Sequence, residues 1–271
     1  VTTDLVDLPP RFGMDRPAFD KLGSRPPGEL RAATSVILAR DGAEGLEVFL
    51  LQRADSMAFG AGMSVFPGGG LDGGDRTALA DGLVDTGAAV EAAASWGTTP
   101  EEAAALLACA VRETYEETGV LFADVDAPAA GTRERLVARE VGLRDVAGRV
   151  AADRLRPWAR WLTPEVMPKR YDTAFFVAAV PEGQEPDGET SEAVGAGWCA
   201  PSRALREWDA KERGLMPPTW AVLTELAAAP DVATLLASAA GRRPEPITPS
   251  LRPGDERVGI AVPAHAFGGQ A

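Results

Sequence analysis

Little in this 271-residue chain is available for thiol or imidazole chemistry: it has two cysteines, Cys109 and Cys199, and a single histidine, His265. Both cysteines sit in apolar surroundings and are expected to be buried small hydrophobes rather than a disulfide. His265 lies in a glycine-rich tail with no partner in view to orient it, which argues against a catalytic imidazole. Basic charge is scarce as well. Against 40 Asp and Glu there are only 27 Lys and Arg, a net charge of −13, so no basic footprint exists for a nucleic acid. That acidity leaves room for an anionic small molecule, because a bound divalent cation inverts the local charge of an acidic cleft. No apolar run approaches the roughly 18 residues a membrane span needs, and residues 1–10 lack a basic stretch followed by an apolar one. The expected setting is the cytoplasm, without a membrane partner.

What is present reads as strands in hairpins mixed with helices, an α+β pattern rather than a doubly wound sheet. Residues 1–30, rich in proline and charge, read as an extended lead-in. Ala32 to Leu38 and Leu46 to Gln52 are β-branched and apolar and predict a hairpin around Asp41-Gly42. Met63 to Phe66 ends abruptly at Pro67-Gly68-Gly69-Gly70. Residues 71–98 lack a strong period and read as an insertion or a loose helical excursion. Thr99-Pro100-Glu101-Glu102 then combines an N-cap, a proline at the first helical position and a third-position glutamate. The helix it starts is expected to stop at Gly119. Residues 132–161 read as helical, 173–180 and 194–198 as strands, and 201–209, 218–228 and 232–239 as helices. A last strand covers 258–262.

The chemistry concentrates in Arg112-Glu113-Thr114-Tyr115-Glu116-Glu117-Thr118-Gly119-Val120. Positions three and four apart share a helix face, so Glu113 neighbours both Glu116 and Glu117, and like charges at that spacing repel. A bare cluster of this kind is ordinarily a solvated face. Here the preceding stretch, Ala103 to Val111, is almost wholly apolar, which predicts a deeply packed helix. Three carboxylates at its end then need compensation, and a hard divalent cation supplies it.

Arg-Glu-x-x-Glu-Glu-x-Gly resembles the helical half of the Nudix signature, G-x5-E-x7-R-E-U-x-E-E-x-G-U with U bulky and apolar, and Gly68-Gly69-Gly70 resembles its beginning. The sequence departs from the pattern in three ways. Arg112 stands 42 residues after Gly70 against 14 in the pattern, Thr114 replaces a bulky apolar residue, and Ala104 occupies the slot of the first Glu counted back from Arg112. An insertion over about 71–98 accounts for the spacing. Trp161-Leu162-Thr163-Pro164, Arg170 to Phe176 and Gly197-Trp198 are similar to a Nudix subgroup with the same split box, which includes the peroxisomal coenzyme A diphosphatase of animals. A motif frequent in coenzyme A pyrophosphatases is matched from Arg53 onward, through Gly62 and Phe66-Pro67-Gly68-Gly69, with Ala58 where a second arginine is usual.

The resemblance implies an α/β/α sandwich with a mixed sheet and helical insertions. Residues 31–230 would form the Nudix domain, with insertions at about 71–98 and 124–161, and 231–271 a C-terminal helix and tail. It implies Mg²⁺ or Mn²⁺ held by Glu113, Glu116, Glu117 and a carbonyl at Gly69, with Arg112 orienting a carboxylate. Arg53, Gly68 and Gly69 would touch the substrate's phosphates. Glu113, or a loop carboxylate such as Glu189 or Glu192, would be the general base. Trp158, Trp161 and Trp198 are read as core before base-stacking platforms. The expected reaction is hydrolysis of a diphosphate linkage in a nucleoside diphosphate derivative: coenzyme A or acyl-CoA, with ADP-ribose or NADH as alternatives and a ligand sensor without turnover as the contrasting class. Homodimer formation is left open.

Overall fold

The structure, a computed structural model, describes residues 4–23, 26–54, 62–125, 128–190 and 193–268. The N-terminal stretch carries β1 (Leu5–Asp7), β2 (Met14–Asp15) and α1 (Arg16–Gly23). The hairpin β3 (Leu30–Gly42) and β4 (Gly45–Arg53) follows, then β5 (Met63–Val65), β6 (Gly68–Gly70), α2 (Thr86–Trp96) and α3 (Pro100–Thr118). Two short helices, α4 (Thr132–Val137) and α5 (Leu143–Ala147), precede β7 (Arg156–Leu162), β8 (Arg170–Ala179) and β9 (Ala193–Cys199). The chain continues through α6 (Pro201–Asp209), β10 (Gly214–Leu215), α7 (Pro217–Leu226) and α8 (Val232–Ala239), and closes with β11 (Pro246–Ile247), β12 (Ser250–Pro253) and β13 (Arg257–Pro263).

A mixed sheet in the order β10-β5-β4-β3-β8-β7-β11 is the centre, with β6 on β3 and β9 on β4. Its middle pair, β3 and β8, is parallel from Leu30↔Arg170 to Ala39↔Ala179. Successive side chains of a strand point to opposite faces, and the assignment here is clean. Val36 and Leu38, Phe49 and Leu51, and Phe176 and Ala178 pack towards α2 and α3. Ile37 and Ala39, Val48 and Leu50, and Phe175 and Val177 pack towards α6, α7 and α8. Both faces are covered, so these strands read as continuous apolar runs. Each fully buried Val, Ile or Phe contributes about 1.5–3 kcal/mol. The result is the α+β sandwich expected from the sequence.

Three segments differ from expectation. Residues 156–161, expected within a helix, belong to strand β7. Trp158 and Trp161 stand three apart, a helical spacing, yet both reach the same core face. A register shift between Pro157 and Ala159 allows it, because an extra residue on one strand flips the alternation. The lead-in is not merely extended: β1 and β2 both pair with β13, and Phe12 stacks on Trp208 with ring centroids 5.0 Å apart. The excursion at 71–98 holds a full helix, α2, capped by Asp85 accepting from the Gly87 and Ala88 amides. Its Trp96, with Val84 and Ala89, is part of the core on the α3 side. Among the described residues no helix is long and apolar enough to cross a membrane.

Candidate active site

Helix α3 places the glutamates. Thr99 accepts from the Glu102 amide at 3.2 Å and the Glu102 carboxylate accepts from the Thr99 amide at 3.4 Å, a reciprocal cap. Gly119 ends the helix at φ 74° with its N–H on the Tyr115 carbonyl. Thr114 fits the apolar slot it occupies because its hydroxyl is satisfied within the helix, donating to the Ala110 carbonyl at 2.7 Å. Thr118 does the same to Thr114 at 2.6 Å.

Arg112, 3% exposed, is the hub. It donates from Nε to Asp75 Oδ1 at 3.0 Å and from Nη2 to Asp75 Oδ2 at 2.8 Å. It also reaches the Gly70 carbonyl at 2.9 Å, Glu113 Oε1 at 2.8 Å and Glu116 Oε2 at 3.4 Å. Burial alone would lower its pKa; the Asp75 hydrogen bonds and the nearby Glu113 outweigh burial and hold it above the usual arginine value. Burial likewise pushes the Glu113 carboxyl up to about 7, with Arg112 opposing and Glu116 and Asp75 adding to the rise. Burial raises Glu116 too, against Arg112 and Arg139.

The glycine loop is fitted to these side chains. Gly68 is at φ +154°, and a Cβ there would lie 2.2 Å from the Thr34 carbonyl oxygen. Its N–H donates to Glu117 Oε2 at 2.7 Å. A Cβ on Gly69 would stand 2.5 Å from Glu113 Oε1, so only glycine lets that carboxylate lie against the backbone. Strand β6 fixes the loop by pairing Gly68, Gly69 and Gly70 with Ser35, Thr34 and Ala33. Cys109 lies beneath, accepting from Thr34 Oγ1 at 3.1 Å. Burial first, and Asp75 after it, drive its pKa well up, so it is a packed thiol. Both cysteines are buried and free.

Asp75 answers for the carboxylate that sequence reading found missing. Counted back from Arg112 the slot holds Ala104, but counted forward from Gly69 five residues intervene before Asp75. The insertion therefore separates the two halves of the box after Asp75, and the fold rejoins them through Arg112. Sequence reading also passed over Arg133. Its Nε donates to the Glu116 carbonyl at 3.0 Å and its Nη1 binds Asp187 at 2.7 Å. The Asp187 amide donates to the Thr118 carbonyl at 2.9 Å, so α4 and the loop before β9 are pinned at the C-terminus of α3.

Arg112, Glu113, Glu116, Glu117, Gly68 and Gly69 are thus brought together. Arg53 is positioned by β4 instead, in register with Ala193 beside an irregularity. Glu192 and Ala58 lie outside the described residues. Glu189 is exposed, with its amide on Asp187. Trp158 and Trp161 are core, and Trp198 is covered by the Arg40 guanidinium 4.3 Å from its ring centroid. His265 is 4.0 Å from Glu245, in the tail. A cavity of about 1260 Å³ lies beyond the α3 C-terminus between Gly119, Leu121, Arg156 and Gln184, and Glu113, Glu116 and Glu117 do not line it.

The donor set suits a hard divalent cation. Glu116 Oε1 is buried without a hydrogen-bond partner, an unmet demand for positive charge inside the protein. Among the described residues no three carboxylate, thiol or imidazole groups already converge as a cage. Mg²⁺ keeps several waters and needs only one or two carboxylates, so the absence of a cage is compatible with the fit.

A family profile described as the NUDT19 Nudix domain matches residues 86–226. Human acyl-coenzyme A diphosphatase NUDT19 is 32% identical over 232 residues, covering 68% of this chain and 61% of the human protein. The putative nudix hydrolase 7 of Caenorhabditis elegans is 26% identical over 208 residues, covering 74% of this chain and 62% of its own. The chain thus spans about three fifths of the length of these curated relatives. Among solved structures, a NUDIX hydrolase from Alicyclobacillus acidocaldarius superposes with a TM-score of 0.61 at 27% identity, covering 78% of this chain and 96% of that one.

Proposed function

Since the chain belongs to the Nudix hydrolase family, we propose that it cleaves the diphosphate linkage of coenzyme A or an acyl-CoA, releasing adenosine 3′,5′-bisphosphate and a phosphopantetheine. The observation that carries the reading is the buried, partnerless Glu116 Oε1 within a glutamate group organised by Arg112. The substrate class follows the similarity to the human acyl-coenzyme A diphosphatase and the match from Arg53 to Gly69 noted above.

Glu113, Glu116, Glu117 and the Gly69 carbonyl would hold Mg²⁺ or Mn²⁺. When bound, such an ion neutralises diphosphate oxygens and makes water a stronger nucleophile. Arg112 keeps Glu113 and Glu116 oriented and, being tied to Asp75, cannot swing away to pair with substrate. Gly69 lets Glu113 approach the loop that would carry the phosphates. Arg53 grips a phosphate from the end of β4. Glu113 or Glu192 takes the proton from the attacking water. Asp187 and Arg133 hold the segment that leads to Glu192 against α3.

Incubation with Mg²⁺ and coenzyme A, acetyl-CoA, ADP-ribose or NADH, with products identified by mass, tests this. Preferential release of adenosine 3′,5′-bisphosphate supports the reading. Cleavage of ADP-ribose or NADH alone keeps the centre and overturns the substrate, an outcome to which Ala58, in place of an arginine, points. Binding of these compounds without turnover, with Mg²⁺ or Mn²⁺, would make the chain a sensor.

A further inference from the structure

Arg112 is fully committed within the box: it holds Asp75, Glu113, Glu116 and the Gly70 carbonyl. A second cation, Arg139, reaches the same group from the turn after α4. Asp72, three residues past Gly69, joins the two arginines. Its Oδ2 accepts from Arg139 Nη1 and lies 3.5 Å from Arg112 Nε. Its Oδ1 accepts from the Asp75 amide at 3.0 Å, which fixes the carboxylate. The charge of Arg139 is felt at Glu116, where it acts with Arg112 against the effect of burial.

The two arginines differ in what they have left to give. The Arg112 side chain is 3% exposed and that of Arg139 58%. Among the described residues Asp72 is the one hydrogen-bond partner of the Arg139 side chain. A guanidinium carries five N–H donors in a planar fork that matches phosphate oxygens two at a time. An exposed ion pair contributes little, so Asp72 aims Arg139 without locking it.

The backbone beneath Arg139 supplies a control. Arg139 follows the Ala138 cap of α4 at φ 61°. Its N–H donates to the Leu136 carbonyl at 2.9 Å, and the Glu140 amide to the Arg135 carbonyl at 2.9 Å. Glycine is favoured in this left-handed position, and a side chain there costs stability. Lys211 takes the same position after α6, at φ 64°, with its N–H on the Trp208 carbonyl. The exposed Lys211 side chain has no hydrogen-bond partner among the described residues, and α6 packs on the other face of the sheet from α3. The two positions match in backbone and differ in surroundings.

We propose that Arg139 is a substrate-binding residue that grips a phosphate oxygen of the diphosphate, with Asp72 aiming its guanidinium. The proposal rests on the diphosphate-hydrolase reading above. It does not depend on coenzyme A as the substrate, because ADP-ribose and NADH carry the same group.

Methylenediphosphonate, a diphosphate mimic without a cleavable P–O–P bridge, is the probe, titrated by calorimetry with Mg²⁺ present. Arg139→Gly should bind it about tenfold more weakly, the scale of one charge-assisted contact, and Arg139→Lys should lose less. Lys211→Gly should bind it as the wild type does. The Tm of Arg139→Gly should stay within about 2 °C of wild type, because relief of the left-handed backbone offsets the lost ion pair. Its Mg²⁺ affinity without the probe should not fall. In turnover its KM should rise about tenfold for whichever of coenzyme A and ADP-ribose is cleaved. Equal binding by Arg139→Gly and wild type, an equal loss in Lys211→Gly, or a fall in Mg²⁺ affinity overturns the proposal and leaves the hydrolase reading standing. Where both substrates are cleaved, a KM rise confined to coenzyme A, whose 3′-phosphate ADP-ribose lacks, overturns the assignment to the diphosphate. A wild type that binds no methylenediphosphonate overturns the hydrolase reading and the proposal together.

Discussion

Asp75→Asn should destabilise the protein far more than a typical loop substitution. Asp75 is 2% exposed and Arg112 3%, and their two hydrogen bonds, at 3.0 and 2.8 Å, are parallel and charge-assisted. Removing one partner of a buried pair costs about 3–5 kcal/mol because the other charge is left uncompensated. Arg112 keeps Glu113 and the Gly70 carbonyl, which places the expected loss near the lower end, about 3 kcal/mol. At roughly 2–4 °C per kcal/mol for a chain of this size, Tm should fall by roughly 6–12 °C. Urea unfolding of wild type, Asp75→Asn, Arg112→Met and the double variant gives the coupling directly, and the double variant should be at least about 2 kcal/mol more stable than additivity predicts. A single-variant loss under about 1 kcal/mol, or additive losses, would refute the claim that Asp75 completes the box.

Glu113 makes the metal-free protein pH-dependent. Its folded pKa of about 7 lies above the ordinary 4.5, so the folded state holds the proton more tightly than the unfolded one. The associated stability is present below pH 4.5 and lost as pH rises to about 7, about 3 kcal/mol in all. Urea midpoints should show that slope in wild type and not in Glu113→Gln, and equal slopes would contradict the burial of Glu113. Gly69→Ala should lower Mg²⁺ affinity at least tenfold by calorimetry while costing less than about 1 kcal/mol of stability, because the clash at 2.5 Å is with the far end of the Glu113 side chain and not with backbone. Unchanged affinity would remove Gly69 from the site. Glu192→Gln and Glu113→Gln should differ in the acidic limb of their kcat/KM profiles, and the variant that abolishes that limb identifies the general base.

Much of the fold was legible because its signals are local. The cap at Thr99, the stop at Gly119 and the run Ala103 to Val111 define α3 without reference to anything distant. The glutamate spacing on that helix needs only its period. What escaped depends on contacts far apart in sequence. Asp75 meets Arg112 across 37 residues, and only counting forward from Gly69 points to it. Arg133 joins Asp187 across 54, with nothing local to mark either. The Trp158 and Trp161 pair mimicked a helix because a bulge restored one face to two residues of odd spacing. The lead-in read as merely extended because β1 and β2 find their partner at the other end of the chain, in β13. The excursion at 71–98 seemed an addition, yet Val84, Ala89 and Trp96 are core, so excising it would expose the α3 side of the sheet.

The central claim is that the carboxylates of α3 perform metal-dependent diphosphate hydrolysis. The direct measurement is single-turnover cleavage of coenzyme A and ADP-ribose by wild type and Glu116→Gln, with Mg²⁺ and after chelation. The account predicts cleavage of one of them by wild type with Mg²⁺, none after chelation, and at least a hundredfold loss in the variant, about 2.7 kcal/mol of transition-state stabilisation. A variant that cleaves at the wild-type rate, or turnover that survives chelation, would contradict it.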